Sequence, residues 1–448
     1  MASTLIKNGL LVTMENRKII RDGAVYVEDS FIVDCGNTDE VRRRHQASHV
    51  IDAKWKMILP GFINAHYHSD VSIARTIGAD ETISTNLAKL KWPRVLAMKP
   101  EDYKTSALLG YAENITMGAV LVGDNFYARR GVSTEGVARA AEKTGIRSIL
   151  MKGFQDEPST VPAEFIESPE ELNRDYDALI QQWNGRAQGR IRVWISPVNL
   201  QYTSTEGIAK VTELALKRKT GIHTHASEDR PGVEAIRKRF GKTYIEVFKD
   251  LGTLTLGRNF QVAHGIFLTE NEMRLLAKAD STVIHNPVSN LMRRAGIAPV
   301  MEMLQKGIRV ALGTDSKQDI HTAMRLATGL QNITTPLGLK AWDALEMATI
   351  RGAEAFNMQD QIGSIKPGKK ADIILVNMKN SHSMPIADPI AAQVYFTNSS
   401  DVDTVMIDGE MVMEDRKLLT VNEDRLVAES QRTLDRLIDR IGIQGLRG

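Results

Sequence analysis

Six residues of this chain carry side chains and spacings suited to hydrolysis assisted by a metal ion. His66 and His68 stand two apart in GFINAHYH, His225 closes GIHTH, His264 ends NFQVAH, Asp315 follows IRVALGT, and Glu228 lies three residues beyond His225. Residues i and i+2 of a strand face the same side, so His66 and His68 can chelate one ion while Tyr67 faces away. Three neutral imidazoles and one carboxylate, with a position left for water, form the composition of a catalytic divalent site. Zinc is the default ion and iron the next choice. Cys35 is the single cysteine, so neither a thiolate site nor an intrachain disulfide can form. His223 shares a strand and a face with His225. His225 stands nearer the strand end and takes the metal role, which leaves His223 as a supporting or core residue. Glu228, just past that end, can reach over a substrate as a proton shuttle, because a carboxyl group in a closed pocket has its pKa raised toward working pH.

Such a set needs a scaffold that brings distant strand ends to one place. Between about residues 60 and 365, eight short apolar segments alternate with stretches of helical period: GFINAHYH, AVLVGD, RSILMKG, IRVWISP, GIHTHAS, NFQVAHG, STVIHNP and IRVALGTD. Eight strands alternating with helices over about 300 residues predict an α/β fold of the (β/α)8 TIM-barrel type, whose strands end at one mouth where active sites form. The histidines and Asp315 fall at those ends. An open doubly wound sheet fits less well, since no Gly-rich phosphate loop follows any strand. Residues 1–58 and 366–420 read instead as short strands with Asn-Gly and Asp-Ser turns. Neither stretch is long enough alone, so the two predict a small β-sandwich domain built from both chain ends, flanking a barrel domain at 59–365. Residues 421–448 space Leu426, Val427, Leu434, Leu437 and Ile438 at helical intervals between mixed charges, an amphipathic helix for packing on the barrel or on a second subunit.

Composition narrows the partners. The chain has 448 residues, 57 Lys+Arg against 55 Asp+Glu, and a formal net charge of +2. That balance gives no electrostatic footprint for nucleic acid or an anionic membrane. No window approaches the length of apolar sequence that spans a bilayer, and the start has no basic region before a long apolar stretch. A cytoplasmic protein acting on a small molecule is expected.

PGFINAHYH, HTHASE, VAHGIFL, HNPVSN, ALGTDS and IGSIKPGKKADIILV together resemble the successive motifs of the amidohydrolase superfamily. Within it they are most similar to the metal-dependent aminohydrolases and chlorohydrolases, a group that includes adenosylhomocysteine and methylthioadenosine deaminases, guanine deaminase and s-triazine hydrolases such as atrazine chlorohydrolase. The resemblance runs from the first strands to about residue 420. It implies one divalent ion held by His66, His68, His225 and Asp315 together with a water that becomes hydroxide near neutral pH. It further implies that Asp315 accepts the water's proton, His264 orients the hydroxide, and Glu228 protonates a ring nitrogen so that the neighbouring C=N carbon is attacked and ammonia leaves. Two-metal members use a carboxylated lysine on the fourth strand; IRVWISP has none, which favours a single metal. A homodimer or homotetramer is a further expectation of the resemblance and of the amphipathic tail.

Where the chain departs from the resemblance, it does so at the barrel mouth. SPVNLQYT has Val198 and Asn199 where nucleoside deaminases of the group carry a substrate-contacting histidine, SKQDIHTAMR is short after Asp315, and Met292-Arg293 replaces a more usual Leu/Lys pattern. These changes point away from a nucleoside and toward a free base, pterin-like or triazine-like ring. Removal of chloride, alkylamine or thiolate from such a ring, and opening of a cyclic amide, are alternatives at the same site; a non-catalytic barrel scaffold is disfavoured by the intact set. Trp92 in KLKWP is a candidate for stacking on a flat ring, and Asn290 for hydrogen bonding to it. His285, His321, Arg293 and Arg294 have no role assigned by sequence.

Overall fold

The computed structural model describes residues 3–78, 90–316 and 319–442, so the sequence expectations for 317–318 and 443–448 lie outside the described residues. Strand β1 (Ser3–Val12) pairs antiparallel with β2 (Ile19–Glu28), which pairs with β3 (Phe31–Asn37) through a turn at Asp29-Ser30. β4 (His49–Asp52) and β5 (Lys56–Pro60) lie parallel to β1. Asn8-Gly9 is not the expected turn. β1 runs straight through it, with Asn8 at φ 62° and the pairing register shifted between Ile6 and Gly9. Asn tolerates the left-handed region, so the dipeptide makes a bulge within a long strand as readily as a hairpin turn.

The central region alternates strands and helices as its apolar segments predict. β6 (Phe62–Tyr67), β7 (Ala119–Asp124), β8 (Arg147–Leu150), β9 (Gly153–Phe154), β10 (Ile191–Val193) and β11 (Ser196–Pro197) pair in parallel, β9 with β11 and the others in the order β10-β8-β7-β6. β12 (Ile222–Ala226), β13 (Phe260–His264), β14 (Thr282–His285) and β15 (Arg309–Leu312) make a second parallel four-stranded sheet. Parallel bridges join the two at both seams, Ile195 to Ile222 and Tyr67 to Asp315. Strands covered on both faces read as continuous apolar runs, and every residue of AVLVGD in β7 is buried. Ile63, Leu121, Ile149, Ile284 and Ala311 from five strands pack on Phe356, Met358 and Ile362. Helix starts follow local signals: Ser168 and Glu171 form a reciprocal cap on helix Pro169–Trp183, as do Thr269 and Glu272 on Glu270–Lys278.

The chain then returns to its beginning. β16 (Ile373–Asn377) pairs antiparallel with β5, and β17 (Val402–Ile407), β18 (Glu410–Glu414) and β19 (Lys417–Leu418) follow in order. Strands from both chain ends are therefore neighbours, as the sequence implies. Their hydrogen bonds join nine strands into one sheet, where a two-layered sandwich is expected, because the β5–β16 ladder makes the two halves continuous. The last helix, Glu423–Ile441, is capped by the Asn422 side chain and buries Leu426, Ser430, Thr433 and Leu437 along one stripe. It packs on helix Pro100–Thr116 of its own chain, and Arg440 meets Asp102 at 2.5 Å. Among the described residues no helix is long and apolar enough to cross a membrane.

A buried ion cluster fastens the chain-end sheet to the central strands. Arg147 at the start of β8 contacts Asp372 at 2.6 Å and Asp408 at 3.1 Å, and Lys370 reaches Asp408 at 3.0 Å. Removing one partner of a buried pair leaves uncompensated charge, at a cost of about 3–5 kcal/mol. Arg147→Met is therefore expected to lower the unfolding free energy by about 3 kcal/mol or more, read from denaturant titration. Arg139→Met, which removes an exposed pair with Glu135, should move it by less than about 1 kcal/mol. Equal midpoints for the two variants would refute the anchoring role.

Candidate active site

The strand ends bring together the residues that the sequence singles out. His66 lies near the end of β6 and His68 just follows it, His225 lies on β12, His264 ends β13, and Asp315 follows β15; all five are buried. Tyr67 points the other way, its hydroxyl 2.6 Å from Ser72 Oγ. His264 at φ 74°, Asp315 at φ 55° and Ser227 at φ 51° are non-glycine residues in the left-handed region, a strain of about 1–3 kcal/mol each where it occurs. The backbone thus turns sharply just where each strand delivers its side chain. Gly313 is required for the same convergence: a Cβ there would lie 2.7 Å from His66 Cβ and 2.4 Å from Asn286 Oδ1.

Each imidazole is oriented by what its Nδ1 touches. His225 Nδ1 donates to the Val198 carbonyl at 2.7 Å, and His68 Nδ1 donates to the Asn125 carbonyl. A carbonyl only accepts, so both rings carry a proton on Nδ1, and in the neutral form that a metal ligand requires they leave Nε2 bare. Those two bare nitrogens face each other at 3.4 Å, and His68 Nε2 stands 3.1 Å from Asp315 Oδ1. His66 Nε2 is buried with no hydrogen-bond partner. Burial pushes the His66 and His225 imidazoles well below their ordinary pKa, so they are neutral. Lone pairs and a carboxylate converging in a buried space repel one another unless a cation lies between them, and this donor set fits a divalent ion. Two overlapping groups, His66/His225/His264 and His66/His68/Asp315, each have ligand atoms within 4.8 Å of one another.

Further groups surround this set. Ser289 Oγ donates to Asp315 Oδ2 at 2.5 Å and the Ser316 amide to Oδ1 at 2.6 Å, fixing the carboxylate. Glu228 Oε1 lies 3.5 Å from His264 Nε2, and burial raises its carboxyl above the ordinary range. The pocket over the site is lined by His68, His225, Glu228 and Asp315, and also by Tyr127, Val198, Asn199, Lys91, Arg293 and Ser316. Arg94, another lining residue, is spent on Asp70, with Nη2 2.6 Å from its carboxylate. Lys91 instead lays its ammonium over the Tyr127 ring, 3.3 Å from the centroid, and burial draws its pKa down to about 7.

The candidate substrate contacts fall elsewhere. Trp92 is not on the pocket wall; it packs behind it with Phe165 and Tyr202, ring centroids 5.2 and 5.9 Å away. The apolar face that suits an indole to stacking on a substrate suits it equally to this cluster. Asn290 accepts a hydrogen bond from His264 Nδ1 at 2.8 Å, so it orients that ring. His223 bonds His66, His321 packs edge-on to Phe62, and buried His285 lies outside the pocket lining. Arg293 lines the pocket and Arg294 is exposed. Sequence reasoning missed Tyr127 and Lys91. Lys91 is in the same KLKWP stretch as Trp92, where its charge was the available signal.

The sequence profile of the amidohydrolase family matches residues 57–412. A 5-methylthioadenosine/S-adenosylhomocysteine deaminase of Caldanaerobacter subterraneus is 34% identical over 443 residues, covering 97% of this chain and 98% of the relative. A 5'-deoxyadenosine deaminase of Methanosarcina mazei is 31% identical over 449 residues, covering 98% and 100%. Among solved structures, an adenosine deaminase from Xanthomonas campestris with bound zinc superposes with a TM-score of 0.91 at 25% identity, covering 98% of this chain and 99% of that one. The profile match and the full-length relatives place the protein in the amidohydrolase family, as a hydrolase of carbon–nitrogen bonds.

Proposed function

We propose that the protein is a hydrolytic deaminase of an adenine-type nucleoside, working with one zinc ion held by His66, His68, His225 and Asp315. The observation that carries this reading is the convergence of bare imidazole nitrogens on Asp315 with Glu228 and His264 alongside. A divalent ion bound there would lower the pKa of a water toward neutrality. The protein's own residues do the rest. Asp315, held by Ser289 and the Ser316 amide, takes the water's proton. Glu228, whose carboxyl burial shifts toward its protonated form, gives a proton to the ring nitrogen next to the amino-bearing carbon, which then accepts oxygen. His264, fixed by Asn290, holds the oxygen in line. The amino group leaves as ammonia with the proton from Asp315, the added hydroxyl gives up its remaining proton to restore Glu228, and the ring recovers conjugation as a lactam.

The relatives act, by name, on methylthioadenosine, S-adenosylhomocysteine and 5'-deoxyadenosine. Their identity over the whole chain supports a nucleoside, and weighs against the free ring that the loop departures suggest. The chain reads as a (β/α)8 barrel domain at 59–365 that carries the site, a small β domain from 1–58 with 366–420, and a C-terminal segment from 421 whose helix spans Glu423–Ile441. Association of copies of the chain would cover the apolar surface at Ile333 and Leu337, 81% and 64% exposed.

Zinc-replete enzyme is expected to release ammonia from at least one of S-adenosylhomocysteine, methylthioadenosine and 5'-deoxyadenosine. Glu228→Gln should lower kcat about 10²–10⁴-fold with its zinc content unchanged. Metal present with no ammonia from these or from aminated bases, pterins and triazines would move the function to loss of chloride, alkylamine or thiolate, or to ring opening.

Lys91 separates the nucleosides further. Its ammonium faces the pocket with no carboxylate at ion-pair distance among the described residues, and Arg293 lines the same pocket. S-adenosylhomocysteine carries a carboxylate on its thioether arm, and 5'-deoxyadenosine carries none. Lys91→Met should raise KM for the former about tenfold, as loss of one charged hydrogen bond does, and leave the latter within about threefold. Equal changes for the two would remove Lys91 from substrate recognition.

A further inference from the structure

We propose that Gln261 acts through His223 as a positioning pair that fixes the proton of His66, and thereby sets how tightly the site holds its metal. The inference rests on the metal site argued above and reaches beyond its ligands. His66 differs from its neighbours. His68 and His225 give their Nδ1 protons to backbone carbonyls, whose polarity cannot reverse, whereas His66 Nδ1 faces His223 Nε2 at 2.8 Å. An imidazole nitrogen donates or accepts according to its tautomer, so this contact alone does not say which ring holds the proton.

The direction is decided two side chains away. Gln261 Nε2 donates to the Ala355 carbonyl, which has no donor to offer in return. The amide is thereby oriented with Oε1 toward His223, 3.1 Å from its Nδ1. An amide oxygen accepts, so His223 carries its proton on Nδ1 and presents a bare Nε2. That nitrogen accepts from His66 Nδ1–H, and His66 Nε2 is left with its lone pair, buried and without a protein partner, among the other ligand atoms. Reversing the chain would set His223 Nδ1 against Gln261 Oε1, two acceptors face to face, and would point the His66 proton into the ligand cluster. Ala355, Gln261, His223 and His66 thus form one polarised line, drawn from the 350–355 helix, β13, β12 and β6. Partners of this kind behind a ligand are worth about 10–100-fold in metal affinity.

The test is zinc affinity of the metal-free protein, measured by competition with a chromophoric chelator, so that turnover is not the readout. His223→Phe, which offers no acceptor, should weaken zinc about 10–100-fold, and His223→Gln, whose amide oxygen can accept from His66, should recover most of the loss. Gln261→Met removes the acceptor that polarises His223 without touching His66; it should weaken zinc severalfold in the wild-type background and add nothing in His223→Phe. A Gln261→Met loss that persists in full on top of His223→Phe, or wild-type affinity in Gln261→Met, would overturn the proposal. Should His223→Phe fail to fold, His223→Leu, which also offers no acceptor, serves as the second background. His225→Ala run in parallel separates the two levels of the argument: retained zinc there refutes the metal site itself, whereas lost zinc there with no Gln261 effect refutes only the relay.

Discussion

Unshared electron pairs pointing at one another inside a protein are costly, and much of the central architecture can be understood as the means of holding them there. His68 and His225 present their Nε2 atoms 3.4 Å apart, with the Asp315 carboxylate beside them. Side chains free to rotate would turn away from such a contact. These are not free, because each ring is tied at its far nitrogen to a group fixed by the backbone or by a buried neighbour. The repulsion that remains is the binding energy offered to a cation, which a looser site would have released by rotation.

The fold supplies the fixed points. Parallel strands end at the same level, so carbonyls at Asn125 and Val198 lie beside the rings delivered by neighbouring strands. Left-handed residues at Ser227, His264 and Asp315 end those strands abruptly. The chain then leaves the site within a residue or two, and the loops above are free to form the pocket wall. The pocket wall is built by other residues, Tyr127, Asn199 and Arg293 among them.

What could be read from the sequence follows this division. The His-x-His pair, His225, His264 and Asp315 were legible because strand periodicity and chain order place them without knowledge of the loops. The pairing of the chain ends was legible too, since neither β-rich segment could bury a core alone. Trp92, Asn290 and Lys91 were not, because their roles depend on which way a loop or short helix faces, and an indole or an amide serves equally well in a pocket or behind it. Asn8-Gly9 misled for a related reason: its backbone preference is real, but a bulge satisfies it as fully as a turn. The polarity of the His66–His223–Gln261 line has no sequence signature, as it is set by a backbone carbonyl at Ala355, about 90 residues from Gln261.

The ladder between β5 and β16 also governs how the molecule comes into being. Ile373 pairs with Pro60 and Asn377 with Lys56, across more than 300 residues of intervening chain. At roughly 5–20 residues per second on a ribosome, β5 stands for about 15–60 seconds with that edge unpaired before its partner is made. An apolar strand edge left open for that long is an invitation to wrong pairing. The parallel strands of the central region must be assembled in its presence, and Arg147 waits across 225 and 261 residues of chain for Asp372 and Asp408. Completion of the fold is thus reserved for the last part of the chain to be synthesised, and a protein truncated anywhere before β16 would expose both an unpaired edge and a buried guanidinium without its counter-charges.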